Sequence, residues 1–262
     1  MAQQSRPSNY TQGYSDCTIA THLSRTVDTD AAFLLPRTKK TDHILDVGCG
    51  PGTITIGLAK YASEGRTVGL DISMDVLKKA KALAVEARMP TEGTGSVIFK
   101  HGNVLERLPF PDETSDIVYC SQLFGHIPPP ELPERALTEM RRVLKTGGIL
   151  ASRDGMDQHF YPRGLDVGRL MPALYRSVGF EGDGGKVQVG AGTRVFSGPE
   201  ARIWLAWRGI GQLQPGDTFH QSWLDAGITE DEIQQTVSAV KRWAETEDAW
   251  YASLQCEILA WK

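Results

Sequence analysis

The stretch ILDVGCGPGTITIGLA, residues 44–59, decides the fold of this chain. It opens with a short apolar run, breaks into glycines at the alternate positions Gly48, Gly50 and Gly52, and resumes with apolar residues at helical spacing. Such a pattern predicts a strand, a tight loop and a helix. The loop needs glycine because its backbone turns sharply and comes close to a ligand, where a β-carbon would collide. Since the first N–H groups of the following helix point at the loop, the stretch predicts a nucleotide-binding turn.

An acidic residue ends the next predicted strand, TVGLD at residues 67–71. A carboxylate at Asp71 is in the right place to accept hydrogen bonds from both hydroxyls of a ribose. The loop itself departs from the dinucleotide fingerprint, because Thr53 stands where that fingerprint has Gly or Ala. Asp46, two residues before the first glycine, is a second departure.

The spacing Asp-x-Gly-x-Gly-x-Gly from Asp46 to Gly52 resembles motif I of the class I S-adenosylmethionine (SAM)-dependent methyltransferases. Within that class, the sequence most resembles the ubiquinone/menaquinone-biosynthesis type and the related enzymes of microbial and fungal small-molecule pathways. It covers residues 40–155 well and the rest of the chain in outline. It continues in four further segments: DIS at 71–73, GNV at 102–104, DIVYCS at 116–121 and RVLKTGG at 142–148. Asn103 departs from the Asp that is commoner at its position.

The resemblance implies an α/β fold with SAM as the cofactor. The implied architecture is a Rossmann-like seven-stranded sheet, mostly parallel with an antiparallel last strand, with helices on both faces. A helical lid is inserted before the last strand. The residues expected to bind the cofactor are Tyr14, Arg25, Asp46, Gly48, Cys49, Gly50, Gly52, Asp71, Ile72, Asn103, Val104, Ser121 and Gln122. Arg25 is included because the carboxylate of the cofactor favours a bidentate cation.

The pattern divides the chain into four parts. We expect a helical cap over 1–39, with two helices before Pro36, and a SAM-binding core over 40–198. An inserted helical lid over 199–248 carries four tryptophans, and residues 249–262 form the final core strand, where apolar and polar residues alternate.

Candidate catalytic and acceptor-binding residues lie outside the glycine loop. His126 follows a predicted strand at the edge where parallel sheets bind ligands, and it is the leading candidate for a general base, ahead of His159 and His220. Packing against the loop is an equally good interpretation of His126. The residues expected to contact the acceptor are His159, Tyr161, Trp204, Trp207 and Trp223. An aromatic stripe at helical spacing is more often core, and that alternative stays open.

Composition narrows the classes of partner. The net charge is −4 over 262 residues, so a nucleic-acid backbone is not expected as a partner. There is no long apolar run and the start lacks a signal-peptide core, which predicts a cytoplasmic protein without membrane insertion. The four cysteines have no metal-ligand spacing, so reduced thiols and no metal are expected. The expected partner is a small-molecule acceptor, and a homodimer is left open.

Two other functions are compatible with parts of the pattern. An NAD(P)-dependent oxidoreductase shares the sheet and the ribose acid, but Thr53 and the late antiparallel strand count against it. A SAM-binding regulatory protein without catalysis is disfavoured by the intact loop and Asp71. The pattern leaves open which molecule is methylated and whether the methyl group goes to oxygen, nitrogen, sulfur or carbon.

Overall fold

A computed structural model gives the structure of the protein and describes residues 15–127, 131–156, 167–180 and 187–262. The strands within these residues are β1 (His43–Val47), β2 (Arg66–Asp71), β3 (Ser96–His101), β4 (Ser115–Ser121), β5 (Leu144–Gly155), β6 (Val187–Phe196) and β7 (Tyr251–Trp261). The helices are α1 (Asp16–Leu23), α2 (Val27–Asp30), α3 (Thr53–Tyr61), α4 (Met74–Glu86), α5 (Glu131–Val143), α6 (Val167–Ser177), α7 (Pro199–Gln212), α8 (Thr218–Asp225) and α9 (Glu230–Glu245). Two 3-10 turns span Leu35–Arg37 and Phe124–His126.

The seven strands form one sheet in the order β3-β2-β1-β4-β5-β7-β6. Strands β1 to β5 pair in parallel, whereas β7 runs antiparallel to β5 and lies between β5 and β6. This confirms the predicted Rossmann-like sheet and the position of its last strand. Because Gly155 pairs with Gln255, the start of β7 lies at the carboxyl end of β5. Side chains from both strands therefore meet at the ligand-binding edge of the sheet.

The core lies on both faces of the central strands. Leu45 and Val47 pack into one buried cluster and Ile44 into another, as the two-residue period of a strand requires. A strand with helices on both sides is apolar at nearly every position, which explains why the central strands read as continuous apolar runs. The only polar residue inside β1 is Asp46, which is 3% exposed.

Three local expectations differ from the structure. The predicted second N-terminal helix ends at Asp30 and does not reach Pro36, which instead lies inside a 3-10 turn where its missing N–H group is tolerated. The strand or hairpin expected around 186–196 is one continuous strand, β6. The helix expected to begin at Ser222 begins at Thr218, because the Asp217 side chain accepts the Phe219 N–H and caps it.

The described residues divide into two compact units. The larger comprises 22–127, 131–156, 167–180, 187–194 and 253–262 and contains the sheet, so residues 22–39 belong with the sheet. The smaller comprises 15–21 and 195–252. Its core is formed by apolar side chains of α7, α8 and α9, among them Phe219, Trp223 and Ile233.

Candidate cofactor and acceptor site

The glycine loop after β1 has backbone angles that only glycine adopts easily. Gly48, Gly50 and Gly52 have φ values of 74°, 53° and 82°. A β-carbon on Gly52 would lie 2.7 Å from the Phe99 ring, so this glycine allows α3 to approach β3. A β-carbon on Gly50 would have the His22 ring nitrogen, at 3.9 Å, as its nearest neighbour among the described residues. The surface of the loop at Gly50 is therefore an open cradle in which a ligand can approach the backbone.

Asp71 ends β2 beside this cradle. One carboxylate oxygen accepts the Gly50 N–H at 3.0 Å and the other accepts the Ser73 N–H at 2.9 Å. Burial raises the pKa of the Asp71 carboxyl, and the two N–H groups oppose that shift. A carboxylate offers about four acceptor sites, so Asp71 retains capacity for two ribose hydroxyls. Ile72, 37% exposed, adds an apolar surface next to the carboxylate.

Asp46 lies beneath the loop. Its carboxylate accepts the Thr55 hydroxyl at 2.6 Å, and burial raises its pKa to about 7, with the nearby Asp71 charge adding to the shift. This hydrogen bond ties β1 to the first turn of α3. Asp46 therefore stabilises the conformation of the loop from its buried side. Cys49 is also buried, and its thiol lies against the β2 backbone at Gly69.

The segment after β3 lies beside the end of β2, where the Gly102 N–H donates to the Asp71 carbonyl at 3.1 Å. The Asn103 side-chain oxygen accepts the Leu105 N–H at 3.0 Å, which forms a local turn of the kind that Asn and Asp both make. Asn103 can therefore replace the Asp that is commoner at this position in the family that the sequence resembles. Val104 is buried in the core beside this turn.

A second polar group lies at the carboxyl ends of β4 and β5. Gln122 follows β4 with a φ of 54°, which is uncommon for a residue other than glycine and marks stored backbone strain. Its N–H donates to the Arg153 carbonyl at 2.8 Å, and its side-chain amide donates to Gln255 of β7. The Gln255 amide in turn donates to the Ser253 hydroxyl at 2.8 Å. Three strands thus share one hydrogen-bonded chain at this edge, and Ser121, buried, precedes it.

His126 lies in the 3-10 turn Phe124–His126 at the same edge. Burial lowers the pKa of its imidazole to about 4, and the positive charge of Arg25 contributes to the shift. The imidazole is therefore neutral at physiological pH, so it is able to accept a proton. The same Arg25 charge also acts on the Asp154 carboxyl of β5. The structure thus brings Arg25, His126 and Asp154 to one end of the sheet.

Comparisons with known proteins identify the family. The family profile described as a methyltransferase domain matches residues 44–148. Probable methyltransferase ltbC of Aspergillus luteorubrus is 57% identical over the full length of both chains. The chain belongs to the methyltransferase family.

More distant proteins share part of the sequence or the fold. Demethylmenaquinone methyltransferase of Listeria monocytogenes is 39% identical over 121 residues, 46% of this chain and 47% of that protein. The solved YcgJ protein of Bacillus subtilis has a TM-score of 0.56 at 18% identity, covering 88% of this chain and 97% of that one. A SAM-dependent methyltransferase of Aquifex aeolicus has a TM-score of 0.51 at 20% identity, covering 70% and 93%. The Aquifex protein is named as SAM-dependent, and at this identity the likeness shows the shared fold.

The residues present fit SAM. The open backbone at Gly50 lets the cofactor approach the loop, and the spare acceptor capacity of Asp71 suits the two hydroxyls of its ribose. The exposed Ile72 suits the adenine base. The other predicted cofactor contacts stay predictions. Of these, Tyr14 lies outside the described residues.

The predicted acceptor residues fall in different places. His159 and Tyr161 lie outside the described residues. Within the smaller unit, Trp204 stacks on Phe196 with 6.0 Å between ring centroids, and Trp223 is 9% exposed in the core of that unit. Trp207, by contrast, is 49% exposed. Their roles in the methyltransferase stay predictions, and the packing of Trp223 is that of a core residue.

Sequence reasoning missed Asp154 and Gln255. Both are buried polar residues inside strands that otherwise read as apolar or alternating. The available signal for Asp154 was an acid three residues after the apolar run at residues 149–151 of β5, at the edge where ligands bind. No local pattern distinguishes Gln255, because its importance depends on the antiparallel pairing of β7 with β5.

Three further findings concern membrane spans, metal ligands and cysteines. Within the described residues no helix is long and apolar enough to cross a membrane. In the same parts of the chain, no group of three or more His, Cys, Asp or Glu side chains is arranged to hold a metal ion. The four cysteines are free thiols.

Proposed function

We propose that this methyltransferase transfers the methyl group of SAM to a small hydrophobic or aromatic molecule, with His126 as the general base. The proposal is supported most by one observation: the carboxyl edge of a single sheet carries both the Gly50–Asp71 cradle and a neutral imidazole. A cofactor site and a proton acceptor at one edge suit an acceptor that loses a proton when it is methylated.

The cofactor supplies an electrophilic methyl group on a sulfonium, and the protein supplies orientation, a dry site and proton transfer. Asp71 and the loop backbone orient the ribose, and Arg25 is the proposed partner of the cofactor carboxylate. His126 takes the proton from a hydroxyl or an acidic carbon while the methyl group is transferred in line. A base with a pKa of about 4 is weak in water. Its proposed contribution is therefore to orient the acceptor and to take its proton only as the new bond forms.

Two observations support the proposed class of acceptor. The Listeria protein is named for demethylmenaquinone, a quinone-type molecule, but the similarity covers only 46% of this chain. The Gln122–Gln255–Ser253 chain offers amide and hydroxyl groups that suit a ring carrying an oxygen substituent. We therefore propose a planar acceptor with a hydroxyl or enol group. The cytoplasmic location, the homodimer and the lid role of residues 199–248 stay predictions from the sequence.

The test is a product assay with methyl-labelled SAM and a panel of phenols, quinols, thiols and amines. The proposal predicts labelled product from phenols or quinols, with S-adenosylhomocysteine (SAH) formed in equal amount. Label appearing only in thiols or amines would overturn the acceptor class. SAH binding without methylation of any panel member would instead favour a SAM-binding regulatory protein.

A further inference from the structure

The 3-10 turn that carries His126 is capped from another strand. No side chain within the turn's own segment caps its start. Instead, a carboxylate oxygen of Asp154, near the end of β5, accepts the Phe124 N–H at 3.0 Å, and the backbone N–H of Leu123 contributes a second hydrogen bond. Asp154 is fully buried. A carboxylate at the free N–H groups of a turn is the most favourable acceptor for them.

We infer that Asp154 is the positioning residue for His126, and that its ionised carboxylate holds the turn in the conformation that presents the imidazole at the sheet edge. When Asp154 is protonated, its oxygen becomes a weaker acceptor for the Phe124 N–H and the turn loosens. The inference rests on the proposed function, because a positioned imidazole matters only if His126 takes part in methyl transfer. No other side chain in the described residues is hydrogen-bonded to this start of the turn.

The surroundings of Asp154 bring the pKa of its carboxyl close to neutral pH. Burial raises the pKa of its carboxyl to about 7, against the backbone hydrogen bonds and the charges of Arg25 and Arg153, which lower it. Its second oxygen is buried and has no donor within the described residues. The titratable groups that face it from the neighbouring strands and helix are Cys120 of β4, Cys256 of β7 and Tyr175 of α6. All three are neutral at pH 7, and Arg153 is itself ion-paired with Asp30 at 2.9 Å and with Glu257 at 3.1 Å.

A purely structural role for Asp154 makes a different prediction. If the carboxyl only stabilised β5, its removal would lower the melting temperature without changing how His126 responds to pH. The positioning role requires that the environment of the His126 ring change when Asp154 is ionised. Since the imidazole itself titrates near pH 4, any change in its environment near pH 7 must come from another group.

The experiment follows the ring resonances of His126 by NMR between pH 5.5 and 8.5, in the free protein and with SAH. A His126→Gln variant identifies the resonance among the six histidines. The wild-type resonance should shift with a midpoint near pH 7, and in Asp154→Asn it should stay flat. Asp116→Asn is the matched control, because Asp116 likewise accepts a backbone N–H, that of His43 at 2.8 Å, at the opposite edge of the sheet. This control should keep the midpoint.

A second variant keeps the test decisive if Asp154→Asn does not fold. Arg25→Gln removes a charge that lowers the Asp154 pKa, so the midpoint should move to higher pH. A wild-type resonance with no midpoint near pH 7, or a midpoint that persists in Asp154→Asn, would overturn the inference. A midpoint that Arg25→Gln leaves in place would do the same.

An activity measurement separates this inference from the proposed function. With an acceptor from the panel, Asp154→Asn should lower kcat by about 10- to 100-fold with unchanged SAH affinity, because a misplaced base loses alignment. Adding His126→Ala to Asp154→Asn should cost much less than His126→Ala costs in the wild type. Fully additive effects would contradict the positioning role. If no acceptor is found, the proposed function fails but the NMR result still decides whether Asp154 controls His126.

Discussion

The two halves of the sheet edge are built in different ways. The half that we propose for the cofactor, the cofactor half, comes from one continuous stretch, residues 44–71, with the loop backbone and Asp71. The half that we propose for the acceptor, the acceptor half, joins His126, Asp154 and Gln255, which are far apart in the sequence. The first half depends on backbone geometry that glycine makes accessible, whereas the second depends on buried side chains with shifted pKa values. The cofactor half is thus formed by residues that are contiguous in the sequence, whereas the acceptor half is formed by residues that only the fold brings together.

The largest expected effect is on turnover in the acceptor half. Replacing His126 with Ala should lower kcat by roughly 10²- to 10⁴-fold, because a positioned base contributes that much to proton transfer. SAH affinity should stay unchanged, as the cofactor half is intact. The measurement is steady-state kinetics with the identified acceptor. His43→Ala is the matched control, since His43 begins β1 at the opposite edge of the sheet, and it should keep full activity. Equal activity in both variants would remove His126 from the mechanism.

The next largest effect concerns the tryptophans that the sequence predicts to contact the acceptor. Trp223 lies in the core of the smaller unit, so Trp223→Ala should lower the free energy of unfolding by about 3–5 kcal/mol. Trp207 is half exposed, and Trp207→Ala should change stability by no more than about 0.5 kcal/mol. Denaturant unfolding of both variants checks this. If Trp207→Ala raises the KM for the acceptor while remaining stable, the acceptor half extends beyond the sheet.

The smallest expected effect is a pH dependence in the cofactor half. Burial raises the pKa of Asp46 to about 7, above its unfolded value of 3.8. Between these values the folded protein holds a proton that the unfolded chain has released. Its contribution to stability is therefore complete below about pH 4, is lost as pH rises to about 7, and is constant above that. One such carboxyl gives a slope of at most about 1.4 kcal/mol per pH unit.

Asp46→Asn should reduce the slope of the stability curve between pH 4.5 and 7.5 but not abolish it, because the pKa of Asp154 is also raised to about 7. Asp116→Asn should leave the slope unchanged, because the pKa of Asp116 is lowered and its titration falls below that window. Urea unfolding at several pH values measures both. An unchanged slope in Asp46→Asn would mean that Asp46 is ionised in the folded protein and that Asp154 accounts for the slope without it.

The comparison also explains what could be predicted from the sequence. The glycine loop and the last strand follow from turn chemistry and local periodicity, whereas the arrangement of the sheet is what the family resemblance implies, and the structure confirms them. The end of α2 was missed because the apolar residues Ala31 and Leu34 pack in a turn, a tertiary choice that a helical pattern does not reveal. Asp154 and Gln255 were missed for the same reason. Their partners Phe124 and Gln122 come close only when β4, β5 and β7 pair.

The central claim is that the cofactor is bound by one half of the edge and the proton is handled by the other. Calorimetric titration of SAH into the wild type, Asp71→Ala and His126→Ala tests it directly. The account predicts SAH binding by the wild type and by His126→Ala with the same affinity. In Asp71→Ala the affinity should be weaker by roughly 1–3 kcal/mol, because ribose hydroxyls lose a charged acceptor. Equal weakening by both substitutions, or binding of NAD in place of SAH by the wild type, would contradict it.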